Sequence, residues 1–153
     1  MRSLERAGVR LAFEDTETAS PPMLLVHGCG LDHRSLKNLA DFFHCSYRII
    51  SVDLRGHGES DAPRQDYTMP TFADDLGWLC TELSLRNLVV VGHSMGGNIA
   101  LELGAYHPRP SIHARHTGFH YAAVERNAGG SLCKPGGSVG RLGLCRSVQE
   151  WSL

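Results

Sequence analysis

Residues 88–106 read LVVVGHSMGGNIALELGAY and join an apolar run to a glycine-rich turn and a helical pattern. The run at residues 87–91 lacks polar alternation, which is typical of a strand buried on both faces of a parallel sheet. The segment Met95–Tyr106 predicts a helix that ends before Pro108, because the residue before a proline avoids helical backbone. Between strand and helix lies a GxSxG motif centred on Ser94.

The GxSxG motif predicts a sharp junction that presents Ser94. Such a turn holds the serine in a strained backbone conformation with its Oγ exposed. Gly92 and Gly96 are required because a Cβ at either position would collide with the neighbouring turn, and Gly97 lets helix and strand approach closely. The backbone N–H of Met95, at the helix N-terminus, would point at a developing oxyanion. Ser94 is therefore the candidate nucleophile, the alternative being a glycine-rich turn with an incidental serine.

The pattern around this motif predicts an α/β domain with a mostly parallel sheet. Buried strands are expected at residues 23–26, 48–52 and 87–91, and helices at residues 34–44, 72–83 and 95–106. An alternating segment at residues 9–14 predicts a half-buried strand, which residues 3–6 join as a hairpin. Because parallel strands end at one edge of the sheet, His27, Asp53 and Gly92 should lie near one another and near the ligand.

Two further motifs follow the first two buried strands. His27-Gly28-Cys29-Gly30 offers the N–H of Cys29 as a second oxyanion donor, the alternative being an ordinary glycine turn. Residues 53–60 read DLRGHGES, in which the glycines permit tight turns. Asp53 and Arg55 are expected to cross-link this loop by hydrogen bonds, as a structural brace beside the site, rather than to be solvated.

These motifs resemble the α/β-hydrolase superfamily over roughly residues 8–109. They are His27-Gly28, Asp53-x-Arg55-Gly56-His57-Gly58-x-Ser60, Gly92-His93-Ser94-Met95-Gly96-Gly97 and His107-Pro108, in that order. The likeness is greatest to the small bacterial branch of esterases, enol-lactonases, carbon–carbon bond hydrolases and haloperoxidase-like proteins that need no cofactor. The resemblance implies Ser94 as nucleophile and the amides of Cys29 and Met95 as oxyanion hole. It implies structural support from His27, Gly28, Asp53, Arg55, Gly92, His93, Gly96 and Gly97.

The sequence does not supply the acid and base that a serine nucleophile needs. In this superfamily they follow in the order Ser, Asp or Glu, then His. After Ser94 there is no Asp, and the carboxylates are Glu102, Glu125 and Glu150. Glu102 lies about two turns along the helix from Ser94, too far to share the site. The later histidines (His107, His113, His116 and His120) all precede Glu125, so the triad acid and base remain unknown, and His27 and His93 are interpreted as structural.

The composition of the chain changes at about residue 110. Residues 1–110 carry 10 Lys/Arg and 14 Asp/Glu, net −4, whereas residues 111–153 carry 5 and 2, net +3, with no Asp. We therefore expect residues 1–110 to be the N-terminal part of a hydrolase domain, truncated after the helix that Ser94 opens. Residues 111–153 show no strand or helix pattern, which suggests an out-of-frame or disordered tail. Loss of the later strands would leave an apolar sheet edge through which the chain could self-associate.

The overall composition excludes several classes of function. The 153 residues are 42% hydrophobic and 20% charged with a net charge of −1, so no basic field favours nucleic acid. No apolar run approaches the ~20 residues of a membrane span, and the N-terminus has no signal-peptide core. Five cysteines without a CxxC pair favour reduced thiols in the cytoplasm, and they match no zinc spacing with the late histidines, so no metal is predicted.

Together these features predict a serine hydrolase that acts through Ser94 on a small ester, lactone or thioester, without a cofactor. Its activity is expected to be impaired, because the acid and base are missing. The alternative is a catalytically inactive truncated fragment, or a half-domain that another chain completes.

Overall fold

The computed structural model describes residues 1–106 together with the backbone of residues 114–117 and 121–124. Within these residues seven strands form one sheet, and they are β1 Arg2–Arg6, β2 Val9–Asp15, β3 Pro22–Val26, β4 Arg48–Val52, β5 Val89–His93, β6 Ala114–Thr117 and β7 Tyr121–Val124. A 3-10 helix at His33–Leu36 leads into α1 Lys37–Phe43, and the longer helices are α2 Met69–Glu82 and α3 Met95–Tyr106.

The sheet is parallel at its centre and antiparallel at both sides. Its order is β1-β2-β4-β3-β5-β7-β6, and β3 pairs in parallel with both β4 and β5. The hairpin β1–β2 joins antiparallel to β4, and its turn places Ala7 and Gly8 at φ +50° and +77°. The predicted α/β class, the three central strands and the N-terminal hairpin are all confirmed.

The core lies mainly on the side of the sheet that α2 and α3 cover. Fully buried side chains of three central strands meet those of the two helices there, among them Leu24, Ile50, Val90, Leu76 and Leu103. A smaller cluster on the other side brings Met23, Leu25, Ile49 and Val89 together with Leu36 and the apolar side of α1. Because both faces of β3 and β4 are covered, these strands lack polar alternation.

Three predicted boundaries were wrong by a few residues. The helix expected at residues 34–44 is divided into the 3-10 turn and α1. The helix expected from Phe72 begins at Met69, because the Thr68 side chain caps it by accepting a 3.2 Å hydrogen bond from the Thr71 N–H. The strand expected at residues 87–91 is shifted to Val89–His93, after a left-handed Asn87 at φ +53°.

The segment after α3 contains two strands that the sequence pattern did not indicate. β7 pairs antiparallel with β5 at Val90–Val124 and Gly92–Ala122, and β6 pairs with β7. Strand pairing uses backbone groups, so a short stretch with Arg115 and His116 can join a sheet without an apolar run. The β5 edge that was expected to be uncovered is therefore paired. The proposals of self-association and of an out-of-frame tail remain predictions, and the other residues after 106 lie outside the described part.

Candidate active site

Ser94 occupies the junction between β5 and α3 in a left-handed conformation. Its φ of +52° is one that L-residues with a side chain rarely adopt. The carbonyl of Ser94 accepts a 2.9 Å hydrogen bond from the N–H of Gly97, which closes the first turn of α3. The backbone strain that the motif predicts is thus present at the serine itself.

The glycines around Ser94 allow strand and helix to meet at very short range. A Cβ on Gly92 would overlap the backbone of Gly96 and reach within 2.5 Å of the Gly97 nitrogen. A Cβ on Gly96 would overlap the carbonyl of Val26 and lie 2.6 Å from that of His27. Real Cβ atoms do not approach backbone this closely, so both positions require glycine, for the steric reason that the sequence suggested.

The loop at residues 28–32 begins against this turn. A Cβ on Gly28 would lie 3.0 Å from His93 Nδ1 and 3.4 Å from the Ser94 Cβ. Cys29, the next residue, is exposed, and Met95 begins α3 on the other side of the serine. The two backbone amides suggested as an oxyanion hole therefore belong to residues that adjoin Gly28 and Ser94.

His27 is buried at the end of β3 with both ring nitrogens engaged. Nε2 accepts a 3.1 Å hydrogen bond from the Leu54 N–H, so Nδ1 carries the proton and donates to the Gly28 carbonyl at 2.7 Å. Burial lowers the pKa of His27, and the neighbouring His57, whose ring centroid lies 5.1 Å away, lowers it further. This geometry makes His27 a neutral support of the loop and leaves no ring nitrogen for Ser94.

Asp53 is fully buried and holds three groups at once. Its carboxylate accepts hydrogen bonds from the His33 N–H at 2.7 Å, from His33 Nδ1–H at 2.9 Å and from the Glu59 N–H at 2.9 Å. The sequence pattern does not reveal His33, because no spacing rule links a histidine in one loop to an aspartate 20 residues later. Asp53 thus connects the loop at residues 28–32 to the loop at residues 53–60.

Arg55 braces the loop against α2 rather than through Asp53. Its guanidinium forms a bidentate ion pair with Asp75 of α2, with Nε–Oδ2 and Nη2–Oδ1 distances of 2.5 Å. Both residues are buried, and the hydrogen bonds that Arg55 donates to the Asp75 carboxylate raise the pKa of Arg55. The loop is braced, as expected, but its partner is the helix behind it.

The end of the same loop is attached to β2. Ser60 Oγ donates to the Asp53 carbonyl at 2.6 Å and accepts from the Ala12 N–H at 2.8 Å. Asp61 accepts from the backbone N–H of Arg10 at 2.9 Å and from its guanidinium at 3.1 Å. The loop at residues 53–61 is therefore fixed at both ends, which keeps Asp53 in place.

Among the described residues, we assign no side chain as the acid or the base of a triad with Ser94. The side chains of the later candidates (His107, His113, His116, His120, Glu125 and Glu150) lie outside the described part of the chain. Glu102 lies on α3 and is partly buried. Within the described residues, no three His, Cys, Asp or Glu side chains converge as metal ligands, and no helix is long and apolar enough to span a membrane.

Comparison with known proteins gives a consistent family. The family model described as alpha/beta hydrolase fold matches residues 21–114. A non-heme chloroperoxidase from Kitasatospora aureofaciens is 39% identical over 105 residues, which cover 66% of this chain and 36% of that protein. The chain spans about a third of the length of the curated relatives it matches.

Solved structures agree with this match. A thermophilic esterase from Thermogutta terrifontis is 38% identical with a TM-score of 0.63, covering 71% of this chain and 40% of that one. An N-acyl homoserine lactonase is 29% identical with a TM-score of 0.65, covering 70% and 40%. The sheet, the glycine-rich junction and these matches together show that the chain belongs to the α/β hydrolase family.

Proposed function

We propose that this chain carries the nucleophile of a serine hydrolase that acts on a small ester, lactone or thioester. The observation that supports it most directly is the φ of +52° at Ser94, on a junction whose flanking positions 92 and 96 have room only for glycine. Residues with strained backbone cluster at functional sites. The esterase and lactonase relatives favour an acyl substrate.

The proposed reaction begins with attack of Ser94 Oγ on the substrate carbonyl. The oxyanion that forms accepts hydrogen bonds from the N–H groups of Cys29 and Met95, the latter reinforced by the N-terminus of α3. Collapse of this intermediate expels the alcohol or thiol and leaves an acyl group on Ser94, which water then releases. A base must take the proton from Ser94 Oγ and give it to the departing alkoxide or thiolate, and we assign that role to no described side chain.

The second candidate is a half-domain that another chain completes, or a fragment without activity. The observation that favours it is the short span of the chain, about a third of its relatives' length. In either case the turn at Ser94 would form, but the serine would react only when a base is supplied. The two candidates therefore differ in the reactivity of Ser94 in the isolated chain.

A fluorophosphonate probe tests the proposal, because it reacts with activated serines and remains attached to them. We expect about one probe per chain on Ser94 and none in Ser94→Ala. Ser84→Ala is the matched control, since Ser84 is an exposed serine that also has positive φ, +53°, but lies at the end of α2. Labelling that persists in Ser94→Ala, or a wild-type chain that stays unlabelled, would reject the proposal for the isolated chain.

We also propose that the protein acts in the cytoplasm. Among the described residues, Cys29, Cys45 and Cys80 are all free thiols, and the first two are exposed. Exposed free thiols are typical of a reducing compartment.

A further inference from the structure

The loop at residues 28–32 has little internal support. Among the described residues, one backbone hydrogen bond lies within it, from the Leu31 N–H to the Gly28 carbonyl at 3.3 Å, and a second joins its last residue to the 3-10 turn, from the Ser35 N–H to the Asp32 carbonyl at 3.0 Å. Gly30 lies in the left-handed region at φ +71°. Cys29, Gly30 and Leu31 are exposed, so no side-chain packing within the loop fixes its position. The position of Cys29 must therefore be set at the two ends of the loop.

The first end is fixed by His27, whose buried ring joins the Gly28 carbonyl to the Leu54 N–H. The second end is fixed by His33, and here two donors of one residue act together. Its backbone N–H and its Nδ1–H both reach the carboxylate of Asp53, at 2.7 and 2.9 Å. Both ends of the loop are thus held by the residues that directly follow β4, Asp53 and Leu54.

Asp53 is a rigid anchor for this purpose. Its side chain is fully buried, its own N–H donates to the Ala12 carbonyl at 2.9 Å, and Glu59 donates to its carboxylate. The His33 side chain is only 8% exposed, and its Nε2 faces Glu14 at 3.8 Å. A nearly buried ring that is bonded to a buried carboxylate has little freedom to move.

We infer that His33 is a positioning residue for the loop at residues 28–32. Through its hydrogen bonds to Asp53, His33 holds the Cys29 N–H in place beside Ser94. The expected effect of His33 on reaction rate rests on the proposed function, whereas its expected effect on the loop does not. Loss of the Nδ1–H donor leaves the backbone N–H as the one hydrogen bond that joins His33 to Asp53. The loop should then open more often, and Cys29 should be in place for a smaller fraction of the time.

Two variants separate the hydrogen bond from the bulk of the ring. His33→Asn keeps a donor near the position of Nδ1, whereas His33→Ala removes it. In His33→Ala we expect hydrogen exchange of the amides of residues 28–32 to become about tenfold faster. The maximal rate of labelling by the fluorophosphonate should fall about tenfold or more, with little change in the probe concentration at half-saturation. In His33→Asn both quantities should remain within about threefold of wild type.

The outcomes distinguish this inference from the proposed function. Exchange at residues 28–32 that is equal in wild type and His33→Ala would overturn the inference, whether or not Ser94 reacts. An equal fall in the maximal labelling rate in His33→Asn and His33→Ala would also overturn the inference, since the donor that asparagine retains would then have no effect. If His33→Ala does not fold, His33→Gln replaces it, because its longer amide places the donor near Nε2 and away from Asp53. A wild-type chain that the probe does not label would reject the proposed function alone.

Discussion

At the scale of single residues, the site depends on glycines that leave no room for a methyl group. Gly58 is the sharpest case after the junction at Ser94, since it combines φ +52° with a place against the carboxylate of Asp53. A Cβ there would overlap that carboxylate. The carboxylate cannot move aside without losing its bonds to His33 and Glu59.

Gly58→Ala is therefore expected to destabilise the protein by more than backbone strain alone, by about 3 kcal/mol or more. Gly8→Ala is the matched control, because Gly8 has φ +77° but no atom within 4 Å of an added Cβ. Strain alone should cost Gly8→Ala about 1 kcal/mol. Urea unfolding of both variants measures the difference, and equal losses would mean that Asp53 yields to the added methyl group.

At the scale of elements, the loop at residues 53–61 connects helix, strand and site. It is held to α2 by Arg55–Asp75, to β2 by Ser60 and Asp61, and to the loop at residues 28–32 by Asp53. Each of these attachments is a hydrogen bond or ion pair between groups far apart in sequence. The loop is therefore a structural element of the site, although it contains no helix or strand.

Asp75→Ala is expected to lower the free energy of unfolding by about 3–5 kcal/mol, because it leaves the buried Arg55 guanidinium without its partner. Asp41→Ala is the control, since it removes an exposed ion pair with Lys37 on α1 and should change stability little. Thermal and urea unfolding provide the comparison. A loss in Asp75→Ala no larger than that in Asp41→Ala would show that the buried pair contributes no more than a surface pair.

The sequence predicted the elements well and their partners poorly. Apolar runs identified β3, β4 and β5 because burial on both faces removes alternation, and the glycine motif located the turn at Ser94 because sterics allow few residues there. The pairs His33–Asp53 and Arg55–Asp75 were missed, because both form between residues 20 positions apart with no periodic relation. β6 and β7 were missed because backbone pairing, which any sequence can supply, holds them to the sheet.

At the scale of the whole molecule, two kinds of titrating group make stability depend on pH. Burial lowers the pKa of His27 from its ordinary value of 6.5. Burial of Asp15 acts to raise its pKa, but the hydrogen bonds from Arg48 and the Glu17 N–H, together with the positive charges of Arg48 and Arg2, outweigh that effect and lower the pKa below 3.8. A group with a lowered pKa in the folded state contributes stability above its unfolded pKa and loses it as the pH falls.

Stability is therefore expected to decrease in two steps on acidification, first below about pH 6.5 as His27 resists protonation, then below about pH 4 as Asp15 is neutralised. Urea unfolding between pH 8 and pH 3 measures both steps. In His27→Asn the first step should become smaller, while above pH 6.5 the free energies of unfolding of variant and wild type should depend on pH in the same way. If the first step is unchanged in His27→Asn, other histidines are its cause.

The position of β3 in the sheet has a consequence for how the chain acquires its structure during synthesis. β3 lies between β4 and β5, and both are made after it. Until residue 89 has been made, β3 has at least one unpaired edge. It gains its first neighbour when residue 52 is available and its second only at residue 93. The N-terminal hairpin is complete by residue 15 and its pairing needs no later strand, so it can form before the centre of the sheet exists.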